Sequence, residues 1–272
     1  PLLRRRGGLE PVTWEVALEA AATMLRAARE EGGSDAVGVI ASARATNEDA
    51  FAAMKFARVV LGTNNIDHCA RVCHAPSVAG LRRTLGSGAM TNPIADIDRA
   101  DCLLGGGADS TENHAIIGAR LLAAQRRGVP LVVIDPRRTR LARAADLHLQ
   151  PRLGTDIPLL NGMLHAIFAH GWEDRAYLAA RCEHADELRV AVAAWTPGEA
   201  ALVTGVPAAT IVDAARLYAT SGRAFLAYGL GITQHVCGTE NVIALSNLAL
   251  VTGNVGVDGG GVNPLRGQNN VQ

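Results

Sequence analysis

This chain of 272 residues has no CxxC pair; its five cysteines stand at positions 69, 73, 102, 182 and 237. Structural zinc usually draws on two pairs of close ligands, so a zinc finger is a poor reading. An odd count at irregular spacing argues equally against a disulfide framework, which a chain of this length does not need. A lone cysteine is by default a small buried hydrophobe, and that is the expectation for Cys69 and Cys102. Aromatics are scarce at 4%, so the 49% of hydrophobic residues must build a core mainly from Ala, Val, Leu and Ile. There is no net charge: 26 basic residues balance 26 acidic ones, which leaves no overall field to draw the chain to nucleic acid or an anionic membrane. The basic clusters at 4–6 and 136–140 are therefore local features. No apolar run reaches the length of a membrane span, and the opening "PLLRRRGGLEP" has neither an initiator Met nor the apolar core of a signal peptide. A cytoplasmic location and a chain cut from something longer are the corresponding expectations. Internal repeats, coiled-coil heptads and low-complexity tracts are absent as well.

What is present is an alternation of helical patterns with short apolar runs, which predicts an α/β fold of layered α-β-α domains around a Rossmann-like, mostly parallel sheet. Thr13 is placed to cap a helix through "WEVALEAAATMLRAAREEG" that stops at Gly32, and "AVGVIAS" reads as a buried strand. Asn47 is a candidate cap for "EDAFAAMKFARVVLG", with Glu48 and Asp49 suited to the helix dipole and Gly62 as terminator. Further strands are expected in "DCLLGGG", "VPLVVIDP" and "AFLAYGLG", and helices in "ENHAIIGARLLAAQRRG", from Asp156 through "IPLLNGMLHAIFAHG", and in "TENVIALSNLALVTG". Two domains follow: residues 1–68 as part of a first α/β domain completed by residues outside this chain, and 69–272 as a second.

The strand, glycine turn, helix and strand over 101–136 can carry chemistry. Gly107 ends a glycine run that lets backbone approach a ligand, and a helix starting near Glu112 or Asn113 offers N–H groups to an anion. Asp135 closes the next strand, where a carboxylate can take ribose hydroxyls or the N–H edge of guanine. "GGGADS" is not GxGxxG, so on these residues a structural glycine turn and a nucleotide site both stay open. Gly154 in "GTD" and Gly231 in "GLGITQ" repeat the device, and several such turns converging at one sheet edge would make a crevice for a long ligand.

Taken together, "TNNIDHCARVCHAPSVAG", "DPRRT", "GTD" and "GVNPLRGQNNVQ" resemble the catalytic subunit of molybdenum-dependent formate dehydrogenases, within the bis(molybdopterin guanine dinucleotide) oxidoreductases. The resemblance implies that Cys73 is the one protein ligand to molybdenum, a soft metal whose cofactor supplies most of the sulfur. It implies that His74 sits beside the substrate, where an imidazole of ordinary pKa accepts protons at working pH. Arg266 is implied to hold formate, since a guanidinium fork orients a carboxylate in two directions at once and lysine does not. Gln268 is implied to touch the pterin, and Asn113, Asp135, Arg137, Asp156 and Gln234 the guanine dinucleotide, with Pro136 beside them; Arg138 and Arg140 are expected to be solvated. The chain departs from the usual "GxNPxxxHP" by placing Asp109 and Ser110 where Asn and Pro are common. Formate is the implied substrate, a four-iron four-sulfur cluster bound outside this chain the implied electron exit, and electron-transfer subunits the implied partners. Nucleic acid and a direct membrane span are not expected. The other readings are another molybdopterin oxidoreductase such as a nitrate reductase, a cofactor-free structural subunit of a respiratory complex with the same fold, and a NAD-binding Rossmann enzyme.

Overall fold

The chain begins with two short segments, β1 (Leu2–Arg5) and β2 (Gly8–Pro11), that pair antiparallel around the Arg6-Gly7 turn. They belong to the first of two compact units in the computed structural model, which describes residues 1–267: the division by internal contacts falls between Arg71 and Val72. In this unit Thr13 caps α1 (Trp14–Gly32), its hydroxyl accepting the Val16 N–H. Gly32 is the last helical residue and Gly33, at φ 76°, turns the chain out, one position later than expected. β3 (Val39–Ala41) pairs parallel with β4 (Ile66–His68). Between them lies α2 (Asn47–Lys55), continued by a π-helical turn over Phe56–Leu61 and ended by Gly62 in the left-handed region at φ 71°. Thr46, not Asn47, caps α2: its hydroxyl accepts the Asp49 N–H at 3.2 Å while the Asp49 carboxylate accepts the Thr46 N–H at 3.2 Å. This reciprocal pair satisfies two orphan donors, which Asn47 could not do one position later.

The expected buried strand is corrected: Ile40 in β3 is 90% exposed, because a two-stranded pair offers a second face that no element of the unit covers among the described residues. No residue of α1 or α2 is buried.

The second unit holds α3 (Ala75–Leu85), β5 (Cys102–Gly106), α4 (Ser110–Asn113), α5 (Ala115–Arg126), β6 (Leu131–Ile134), α6 (Arg140–Ala144) and β7 (Leu147–Leu149). It continues with α7 (Asp156–His170), α8 (Arg175–Arg181), α9 (Ala185–Ala191), α10 (Pro197–Thr204) and α11 (Ala208–Thr220). The described part closes with β8 (Ala224–Tyr228), α12 (Leu230–Thr233), α13 (Gly238–Val251) and β9 (Val262–Pro264). Five parallel strands form one sheet in the order β7-β6-β5-β8-β9, and β5, β6 and β8 are buried along their whole length. Side chains alternate across it. Leu103, Val133 and Phe225 face a cluster with Leu121 and Leu141, whereas Leu104, Val132 and Leu226 face a larger one with α7, α11 and α13. This is the layered α/β architecture read from the sequence. The helix expected as one piece from Glu112 is two, α4 and α5, broken at His114 (φ −136°, ψ 60°); they pack closely because Gly118 has no Cβ, which would lie 2.6 Å from the Ser110 carbonyl oxygen. No single helix among the described residues is long and apolar enough to cross a membrane.

Candidate functional site

Parallel strands put their carboxyl ends on one edge, so the turns after β5, β6, β7, β8 and β9 all open there. From β5 the chain proceeds to β6 and β7 on one side and to β8 and β9 on the other, which makes the gap between β5 and β8 the switch point where such folds bind ligands. At this point two glycine turns pack on each other. Gly231 N–H donates to the Gly107 carbonyl at 2.9 Å and Gly229 N–H to that of Gly106 at 3.1 Å. A Cβ on Gly107, at φ 55°, would lie 2.7 Å from the Gly231 carbonyl carbon, and one on Gly231 would lie 2.8 Å from the Gly107 oxygen. These two glycines make room for one another. Gly154, at φ 77° with open space around its Cβ position, is glycine for its left-handed backbone.

Cys73 and His74 precede α3, and Arg266 follows β9; the fold brings all three together. The Cys73 carbonyl accepts the Thr233 hydroxyl at 2.6 Å, tying it to the turn after β8. His74 is 1% exposed. Its Nδ1 lies 2.9 Å from Ser77 Oγ and its Nε2 3.1 Å from the Leu265 carbonyl, the residue before Arg266. Tyr228 donates its hydroxyl to Ser77 Oγ at 2.9 Å, and His114 Nε2 reaches the same Leu265 carbonyl at 3.2 Å. Burial, helped by the Arg266 charge, brings the His74 pKa down to about 4. Both ring nitrogens are thus engaged within the protein. The half-buried Arg266 guanidinium donates to the Gly88 carbonyl, and its Nε is buried with no hydrogen-bond partner. Burial lowers its pKa, against the opposing effects of Tyr228 and Cys73.

On the other side of the switch point Asp135 directly follows β6, 4% exposed, with Oδ1 accepting the Arg137 N–H at 2.7 Å. His148 and the Gln150 amide hold the carbonyls of Asp135 and Pro136 at 2.9 and 2.7 Å. The exposed Arg137 guanidinium stands 3.6 Å from the buried Asp109 carboxylate and 4.0 Å from that of Asp135, and Arg138 and Arg140 are solvated. The N–H groups of Glu112 and Asn113 already donate to the Asp109 carbonyl at 3.0 and 2.9 Å, and their side chains face solvent. The expected helix start offering free N–H groups to an anion there is corrected on that ground. Ser110 Oγ, buried at the same turn, has no hydrogen-bond partner. Asp156 opens α7, its pKa raised by burial, 4.0 Å from His235 Nε2, whose hydrogen bond goes to the Gly231 carbonyl at 2.8 Å. The "GTD" and "GLGITQ" turns thus meet, with Gln234 exposed at the end of α12. Gln268 lies outside the described residues.

Sequence reasoning missed Ser77, His114, Tyr228 and His235. Only Ser77 carried a local signal, being three residues after His74 on the same helical face. Cys102 is buried as expected, its thiol pushed up to about 12, but Cys69 is half-buried, with Sγ accepting the Ala43 N–H at 3.4 Å. Among the described residues no group of three or more His, Cys, Asp or Glu is disposed to hold a metal. A metal at Cys73 must bring most of its ligands with it.

The sequence profile of the molybdopterin oxidoreductase family matches residues 1–272. The chain is 43% identical over 272 residues to the F420-dependent formate dehydrogenase subunit alpha of Methanocaldococcus jannaschii, covering all of this chain and 40% of that protein. It is 45% identical over 275 residues to formate dehydrogenase H of Escherichia coli, covering all of this chain and 38% of that one. The chain thus spans about 40% of the length of the curated relatives it matches. Among solved structures, acetylene hydratase from Pelobacter acetylenicus superposes with a TM-score of 0.73 at 26% identity, covering 94% of this chain and 34% of that one. A dehydrogenase and a hydratase on related chains mean that individual residues, not the fold, must select the reaction.

Proposed function

The chain belongs to the molybdopterin oxidoreductase family, and from that premise we propose that it is the central part of the catalytic subunit of a molybdenum-dependent formate dehydrogenase, oxidising formate to carbon dioxide. The observation that carries this reading is the convergence of Cys73, His74 and Arg266 at the switch-point edge. When bound, molybdenum bis(molybdopterin guanine dinucleotide) supplies a soft-ligated acceptor for the two electrons that formate releases with one proton. The residues fit such a group: Cys73 offers a single soft ligand, and the unpartnered Ser110 Oγ and Arg266 Nε are buried donors of the kind that anionic oxygens satisfy. Asp135, Arg137 and Asp156 are the polar groups that would hold its nucleotide arms.

In this proposal Arg266 binds formate through its guanidinium and sets the C–H bond toward Cys73. His74, set between the Leu265 carbonyl and Ser77, holds the peptide that carries Arg266. The proposal includes a four-iron four-sulfur cluster and electron-transfer subunits outside this chain, and the cytoplasm as compartment. It also includes completion of the first unit by further polypeptide. The apolar side chains left on its surface support this, among them Trp14, Leu18, Ile40 and Phe51, at 67, 62, 90 and 62% exposure.

The test is formate turnover by a polypeptide of the relatives' full length that contains this chain. Cys73→Ser is expected to abolish turnover, since a hard hydroxyl replaces a soft thiolate. Arg266→Lys is expected to raise the KM for formate by about tenfold or more with the fold intact. Turnover of nitrate and not formate by the unaltered polypeptide would reject the reading.

A further inference from the structure

The hydrogen bonds behind His74 run in one direction only, and a single group decides which. The Leu265 carbonyl can only accept, so His74 Nε2, 3.1 Å away, carries the ring proton. The other ring nitrogen, Nδ1, faces Ser77 Oγ at 2.9 Å, and where the ring carries that single proton the Ser77 hydroxyl donates to it. That uses the only proton Ser77 has, and Tyr228, with its oxygen 2.9 Å from Ser77 Oγ, must donate in turn. Tyr228 also accepts the Leu265 N–H on its own carbonyl at 2.8 Å. Both polar groups of Leu265 thus lead back to Tyr228, one directly and one through Ser77 and His74, and His114 adds a second N–H to the same carbonyl at 3.2 Å. Ser77 and Tyr228 are fully buried, so water does not compete for these protons.

We propose that Ser77 and Tyr228 are positioning residues of the formate site: through His74 they fix the Leu265 peptide and hence the direction in which Arg266 presents its fork. Neither touches substrate. The effect on formate rests on the function proposed above; the ordering of the hydrogen bonds does not.

The test therefore has two arms. In nitrogen-15 correlation spectra of the 272-residue protein, His74 is expected to show the neutral tautomer protonated at Nε2, and Ser77→Ala to disturb the Nδ1 signal while Tyr228→Phe disturbs it less. In the full-length polypeptide, Ser77→Ala is expected to raise the KM for formate about tenfold and Tyr228→Phe about threefold, each with a smaller change in kcat, as loss of one hydrogen bond allows. The two act in series, so the double variant should match Ser77→Ala alone; two independent packing defects would multiply. A wild-type His74 protonated at Nδ1, a Ser77→Ala variant with unchanged KM, or a multiplicative double variant each overturns the proposal. Should Ser77→Ala fail to fold, Tyr228→Phe and the wild-type tautomer still decide. An unaltered polypeptide that ignores formate sinks the function while leaving the spectra to judge the hydrogen-bond order.

Discussion

Helices α1 and α7 announce themselves in the same way and end in opposite circumstances. Each follows a threonine, carries an acid in its first turn and gives way to a glycine with positive φ. Yet none of the 19 residues of α1 is buried, whereas eight of the 15 in α7 are, among them Leu159, Leu160, Met163, Leu164 and Ile167. A helix's ends are written locally, in caps and dipole charges; its worth to the fold depends on what the rest of the chain brings against it.

The contrast can be broken by substitution, and the largest effect is expected in α7. Leu164→Ala removes a fully buried side chain from the principal core and should cost about 3 kcal/mol, read as faster amide exchange throughout the sheet. An intermediate effect is expected at Asp96, 3% exposed, which accepts from the Asn92 amide at 2.8 Å and the Gly259 N–H at 3.0 Å. These bonds, the Asn92 one foremost, hold its pKa below the usual carboxylate value. A depressed folded pKa means stability that is fully present above the unfolded value, near ~3.9, and lost as pH falls through the lower folded one. Asp96→Asn should therefore destabilise the second unit by about 1–3 kcal/mol at neutral pH, and the gap should close in acid; a gap independent of pH would show that the charge is not what matters. The smallest effect is expected in α1, where Leu18→Ala, at 62% exposure, should change local exchange by less than about 0.5 kcal/mol. A cost like that of Leu164→Ala would mean α1 is covered in solution, and the comparison would fail.

The same division governs what could be read in advance. The buried strands β5, β6 and β8 were legible as continuous apolar runs, α1 as a run capped by Thr13, and α7 and α13 as long apolar stretches without a side-chain cap. β7 and β9, three residues each, are too short to carry a period and exist because a neighbour pairs with them. Thr46 and Asn47 are both able caps in sequence; only the reach of Asp49 back to the Thr46 N–H separates them. At the site, the adjacency of Cys73 and His74 stood in the sequence, but the state of His74 did not, since the residues that set it lie 151 positions beyond Ser77 and 191 beyond His74 itself. The packing of Gly107 on Gly231 was hidden for a related reason: a glycine's empty side can be filled by another glycine, and nothing local says so.

The sheet order has a consequence for how the chain is made. β5 lies in register with β8, Cys102 opposite Ala224, and every strand between them in sequence lies on the far side of β5. A ribosome adding about 5–20 residues per second thus presents β5, β6 and β7 well before the partner for β5's open edge is synthesised, a delay of several seconds or more. During that interval the helices from α7 to α11 must be parked without the strand they will cover. The edge that gathers Cys73, His74 and Arg266 is completed later still, when β9 docks on β8 and brings Arg266 to Cys73.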